Sequence, residues 1–364
     1  MIEGDCWDLE LISMPGFDMA MKRVYAWFEG AIIDRPPVRF MAHNAFVEQA
    51  NQAYPSDNLR DRWFDAEFQV ETFVKSIEGR TFHGETFPVF WPNLGPEVYA
   101  GFYGAELQFG EVTSWSVPMV RSWDDMARLK LDLDNNIYMR KLDEITRCAL
   151  ERCAGRFLVG YTDLHPGVDC AAAWRDPQQL CLDLIEAPEQ AKALIEIAIR
   201  DFETIYNRFD SMLKAHRQLS VSWMGIPSFG RMHIPSCDFS SLISPAMFEE
   251  FCLPVLRREV KTMTHNIFHI DGRGVAKHLD MILSVPEVHA LQWVQGVGSD
   301  QPIMQWVPFI KAMQARAPVI VDLSKHELDD FMDAVKPEGI FLWIATDTEE
   351  EELELLKRIS RWTA

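Results

Sequence analysis

From Val38 onward the chain alternates short apolar runs with longer amphipathic stretches. The apolar runs predict strands at 38–41, 89–91, 157–162, 221–224, 234–238, 267–270, 290–294, 319–323 and 340–344. Most are continuously apolar rather than alternating, the pattern of a parallel sheet covered on both faces. Between them, Ala191, Leu194, Ile195, Ala198, Phe202, Ile205, Tyr206 and Phe209 recur at helical spacing, with Pro188 near the start. Ser244 and Pro245 supply an N-cap and first turn for another helix, in which Pro254 predicts a kink. Thr348 and Glu351 stand at capping-box spacing ahead of the last helix, whose Leu355, Leu356, Ile359 and Trp362 share one stripe.

Repeated strand-then-helix units with no break in composition predict an α/β fold of TIM type. The expectation is one (β/α)8 barrel domain over 1–364 with an N-terminal extension. The polar, aromatic-rich stretch 51–123 exceeds one such unit and reads as a lid-like insertion over one barrel end. A doubly wound open sheet is the alternative, but no Gly-x-Gly-x-x-Gly follows an early strand.

Composition narrows the partners. A net charge of −20 disfavours nucleic acid and anionic membrane surfaces, while 48% hydrophobic and 12% aromatic residues argue for a large packed core. The seven cysteines include no Cys-x-x-Cys pair, which suits a reducing, cytoplasmic setting. No signal-peptide pattern opens the chain, and no apolar run approaches the ~20 residues a membrane helix needs.

Barrel enzymes carry their reactive groups at the carboxyl ends of strands. Those ends offer His43, Asn93, Asp163, His165, Trp223, Asp238, His269, Asp271, Gln292, Trp293, Asp322 and Asp347. His269 and Asp271 are the most informative pair: residues i and i+2 of a strand share a face, and Gly272 and Gly274 follow. An imidazole beside a carboxylate can hold a metal or act as an acid/base pair, and it can equally cap a turn. Asp163, His165 and Asp238 are further catalytic candidates. Trp223, Trp293, Gln292, Arg273, His43 and Asn93 are candidate substrate contacts, the tryptophans as pocket walls and Arg273 as a carboxylate anchor. For Arg35 and Arg175, pairing with Asp34 and Asp176 is the simpler expectation.

Several segments, in order, resemble the uroporphyrinogen decarboxylase superfamily, which includes cofactor-free porphyrin decarboxylases and corrinoid-linked methyltransferases. They are Met21-Lys22-Arg23, Ile33 to Val38, Asp238 with Leu242-Ile243-Ser244-Pro245, Phe268 to Gly272, and Thr348 to Glu351. A divergent methyltransferase-like branch adds a likeness at Leu291-Gln292-Trp293. The resemblance implies methyl transfer between a small methylated substrate and a corrinoid, free or on a partner protein, and it admits a homodimer. Zinc-dependent members carry His-x-Cys where this chain has His269-Ile270-Asp271, and no cysteine follows Cys252. A thiolate-rich zinc site is therefore excluded. Zinc on His269 and Asp271 would need a third ligand such as Asp322, His165 or Asp163. The arginine-rich segment of the porphyrin decarboxylases is replaced by Met41 to Phe46, which removes their substrate grip. Two other readings stay open: a cofactor-free lyase or hydrolase on a small cyclic carboxylated substrate, using Asp163, Asp238 and Asp271 with Arg273, and a non-catalytic corrinoid- or tetrapyrrole-binding accessory protein.

Overall fold

A computed structural model describes residues 11–42 and 44–363. Its ten strands are β1 (Val38–Ala42), β2 (Val89–Phe90), β3 (Leu107–Phe109), β4 (Ser114–Ser116), β5 (Leu158–Val159), β6 (Met232–His233), β7 (His265–Asp271), β8 (Ala290–Val294), β9 (Val319–Asp322) and β10 (Ile340–Thr346). Six form a curled parallel sheet in the order β1-β10-β9-β8-β7-β6, while β2 and β5 make a separate parallel ladder. Hydrogen bonds outside the ladders flank these pieces, among them Glu85 N to Val38 O at 2.7 Å beside β1 and Tyr161 N to Val221 O at 2.9 Å beyond β5.

The strand pattern of the sequence is realised unevenly. Its long runs became the strands β7, β8, β9 and β10, whereas 157–162 shrank to the two-residue ladder Leu158–Val159, and 234–238 forms no strand, the nearby ladder falling just ahead of it at Met232–His233. The run 221–224 forms no strand; its neighbourhood holds one antiparallel bridge, Ser220 to Ser228. There the backbone pairs through side chains instead, Ser220 Oγ accepting from Met232 N at 2.9 Å.

Each long strand sorts its side chains between two cores. Ile267, Ala290, Ile320 and Phe341 face inward with Trp27 and Met21 of the helix Phe17–Phe28, which plugs the amino-terminal end of the sheet. Phe268, Ile270, Leu291, Val321 and Ile344 face outward against the helices. The one helical stripe at 191–209 is two helices, Pro188–Arg200 and Phe202–Ala215, meeting at Asp201. Pro254 acts as expected, but as a widened turn: a π-helical segment Phe248–Cys252 precedes the helix Leu253–Glu259. Thr348 caps the last helix, its hydroxyl accepting from Glu351 N at 3.2 Å.

Within 51–123 the helix Ala66–Ser76 is the crossover from β1 to β2, so part of this stretch belongs to the regular repeat. The addition is the β3–β4 hairpin. It is tied down, with Ser116 Oγ donating to Ala173 O at 3.0 Å. Among the described residues no helix is long and apolar enough to cross a membrane.

Arg35 does not neutralise Asp34. Arg23 takes Asp34 at 2.6 Å, while Arg35 reaches the fully buried Glu85 at 2.8 Å. Glu85 also accepts from Val38 N at 2.7 Å and Arg23 at 3.2 Å. Likewise Arg175 pairs with Asp183 at 2.6 Å rather than with Asp176.

Candidate active site

The alternation of β7 puts His269 and Asp271 on the inner face with Ile267, at the carboxyl end of the sheet. Gly272 then turns the chain at φ 69°, a conformation that favours glycine. Gln292 is the register partner of His269 on β8, and its Oε1 lies 2.6 Å from His269 Nδ1. An amide oxygen only accepts, so Nδ1 carries the hydrogen of this bond. The indole of Trp223 meets the imidazole edge-on at 5.4 Å. His269, Gln292 and Trp223 thus come together.

A second group forms across the mouth. His165 Nε2 lies 2.8 Å from Asp163 Oδ1, and His165 Nδ1 lies 2.7 Å from Ser236 Oγ. Asp169 continues the line, accepting from Ser236 Oγ at 3.4 Å and from the backbone N–H groups of Asp238 and Phe239 at 3.1 and 3.0 Å. Burial works against charge on His165, but Asp163, Asp169 and Asp238 outweigh it and raise the imidazole to about 10. His165 is therefore a resident cation that donates from both nitrogens. Asp238 reaches solvent at the rim, yet the surrounding wall desolvates it and Asp169 repels its charge, raising the carboxyl to about 6. His269, His165 and Asp271 all act on Asp238 electrostatically, which makes it the group the two clusters share. His165, Asp169, Cys170 and Asp238 line a cavity of about 320 Å³ with Glu97 and Phe239.

Other predicted residues fall elsewhere. Trp293 points into the outer core, fully buried against Trp306 and Phe309 at 5.2 and 4.9 Å, so its reading as a pocket wall is corrected. The alternation that directs His269 inward directs Trp293 outward, because Gln292 rather than Trp293 is its register partner. Arg273 lies over the Trp306 ring and pairs with Asp300 at 2.9 Å, with its side chain 67% exposed. That corrects its reading as a carboxylate anchor. Asn93 turns back on its own loop, accepting from Gly95 N at 2.7 Å, beside a separate groove of about 460 Å³. Asp322 lines another cavity of about 930 Å³ with Lys325 and His326, and burial raises its carboxyl. His43 lies outside the described residues.

Ser236 and Asp169, which carry the His165 network, were not singled out from the sequence. Asp169 falls in the first turn of the helix Val168–Arg175, where an acid reads simply as a favourable end charge. Arg39 was missed too: it sits on the inner face of β1 in register with Trp343, hidden within an apolar run.

The donor set does not fit a catalytic zinc. Such a site takes three protein ligands, and among the described residues no three His, Cys, Asp or Glu groups are placed to share a metal. Asp163 and His165 are engaged with each other and Asp322 lines a different cavity, so among the described residues His269 and Asp271 have no third donor.

The curled sheet with inward polar groups at its carboxyl edge is the arrangement of a TIM-like enzyme scaffold. The fold is similar to that of a methyltransferase from Methanosarcina mazei, with a TM-score of 0.60 and 14% sequence identity over 94% of this chain and 98% of that chain. No protein-family model and no curated protein matches the sequence.

Proposed function

We propose that this chain is a methyltransferase of one-carbon metabolism, a (β/α)8 member of the corrinoid-linked branch of the uroporphyrinogen decarboxylase superfamily. The fold shared with the Methanosarcina mazei methyltransferase supports the scaffold. The observation that carries the chemistry is that Asp238 lines one cavity with His165, where desolvation and Asp169 raise its carboxyl to about 6. A group titrating near neutrality can deliver and recover a proton, the property a general acid needs. A corrinoid, free or on a partner protein, would take the methyl group.

Methyl transfer from oxygen or nitrogen needs the departing heteroatom improved as a leaving group. Asp238 gives it a proton as the carbon–heteroatom bond breaks. The heteroatom keeps that bond's electron pair and Asp238 is left as carboxylate. His165, held by Asp163 and Ser236, stabilises the carboxylate so formed. His269 Nε2 and the Trp223 ring orient the substrate. No step runs through zinc.

Reducing cobalamin to cob(I)alamin and adding methylated ethers or amines tests the reading by visible spectroscopy. Formation of methylcobalamin is expected, at a rate that falls as pH rises through about 6, because the acid form of Asp238 is lost there. Asp238→Asn is expected to slow it by about 10²–10⁴-fold and to erase the inflection. Absence of any spectral change, with free or protein-bound corrinoid, removes the methyltransferase reading. A cofactor-free lyase is the second reading, favoured by a carboxyl acid that needs no metal. Turnover of a cyclic carboxylic acid without corrinoid would establish it.

A further inference from the structure

Among the described residues Arg39 is a cation without a counter-ion. Its guanidinium lies on the inner side of the sheet, only partly reached by solvent, and donates to the carbonyl of Met224. It lies 4.7 Å over the ring of Trp343. Among the described residues no carboxylate pairs with it, although nearly every other interior charge is paired, Glu85 with Arg35 and Arg175 with Asp183 among them. Burial lowers it to about 10, which still leaves it charged at neutral pH. The backbone makes room for it: Gly225 holds φ 63°, and a Cβ there would come within 3.3 Å of the guanidinium.

Two further donors, one in contact with it and one beside its carbonyl partner in sequence, lack acceptors. Trp343 supplies the ring beneath the guanidinium, and its indole N–H is buried with no hydrogen-bond partner. Trp223, next in sequence to the carbonyl that Arg39 engages, has an equally orphaned N–H. Indole nitrogen and guanidinium donate and never accept. A buried donor left unmade costs about 1–3 kcal/mol, so native structures seldom tolerate several together without a purpose. Trp223 also touches His269, which places these donors beside the proposed reaction centre.

We infer that Arg39, Trp223 and Trp343 form the receptor for a small carboxylate, the group by which the substrate is held below the mouth. The inference rests on the proposed reaction centre only for its role, not for binding itself. A single planar guanidinium matches a carboxylate fork and neutralises one charge. Asp238, Asp271 and Asp322 at the same edge of the sheet would repel the second charge of a phosphate monoester. A monoanion with a compact apolar or cationic body therefore fits better than a phosphate.

Thermal unfolding with sodium acetate, benzoate or phosphate, at fixed ionic strength against sodium chloride, tests this without any turnover. A saturable rise in Tm with acetate or benzoate is expected, larger than with phosphate, since a ligand that binds only the native state stabilises it by mass action. Arg39→Met should remove the carboxylate-dependent rise while retaining a Tm at least equal to wild type. Arg39→Lys, which keeps the charge but loses the fork, should weaken binding about tenfold or more, and it serves if the methionine variant fails to fold. Trp223→Phe, read by quenching of the remaining tryptophans with benzoate, should weaken binding without unfolding. An unchanged rise in the Arg39 variants, no rise with either carboxylate, or a larger rise with phosphate overturns the assignment. Loss of corrinoid chemistry with the carboxylate response intact would sink the proposed reaction and leave this site standing.

Discussion

The two ends of the same sheet handle charge in opposite ways. At the amino-terminal end Glu85 is fully buried, yet it takes two arginines and a backbone N–H, so every lone pair has work. On the outer face of β6, His233 and Glu259 solve burial differently, 2.7 Å apart, with burial lowering the imidazole to about 3 and raising the carboxyl. Both groups can then be neutral and share one proton. At the carboxyl end nothing is settled so completely. Among the described residues Arg39 lacks an anion, Asp238 sits among other acids, and two indoles lack acceptors. Stability demands the first arrangement. The second costs stability and makes sense where a ligand completes it.

Glu85→Gln should break this contrast most visibly, because it leaves Arg35 and Arg23 facing a neutral amide. A loss of about 3–5 kcal/mol in denaturant unfolding is expected, while Arg39→Met at the other end should cost nothing. Equal losses at both ends would mean that the mouth is built for stability after all. His165→Gln comes next, at about 1.5–3 kcal/mol for a lost charged hydrogen-bond pair. The sign follows from a folded value near 10 against about 6.5 for free histidine. The stabilisation is complete below about pH 6.5 and disappears as pH rises through about 10, so melts across that window should converge with those of the variant. A constant difference would mean that His165 is not charged at neutral pH. The smallest effect belongs to Arg273→Ala. Its pair with Asp300 is solvent-exposed, and a loss below about 1 kcal/mol with unaltered carboxylate response is expected.

Much of the architecture was legible because long apolar runs leave few choices. The strands β7 to β10, the capped final helix and the disturbance at Pro254 all follow from local pattern. The short strands failed that test: two-residue ladders carry too few side chains to show a period, and the 221–224 run is held by Ser220 rather than by a ladder. Within the site, the i, i+2 rule put His269 and Asp271 on one face, while Asp163 and His165 were found as polar residues following a strand and pair at 2.8 Å. It could not decide between Gln292 and Trp293, because which face is inward depends on register with β7. Arg39 stayed hidden for a similar reason. One polar residue inside an apolar run reads as a chain's tolerance of a long snorkelling side chain, and only the absence of a counter-ion among the described residues gives it meaning.

The widened turn at Phe248–Cys252 has a consequence some distance down the chain. An α-helix advances about 100° per residue, so one extra residue in that turn resets the phase of everything after it. Phe248 opens the slip and stacks on His278 at 4.4 Å, whereas Glu259 lies after it and is aimed at His233. Removing a single residue from the bulge would rotate Glu259 off its partner and strand the imidazole, without touching either residue.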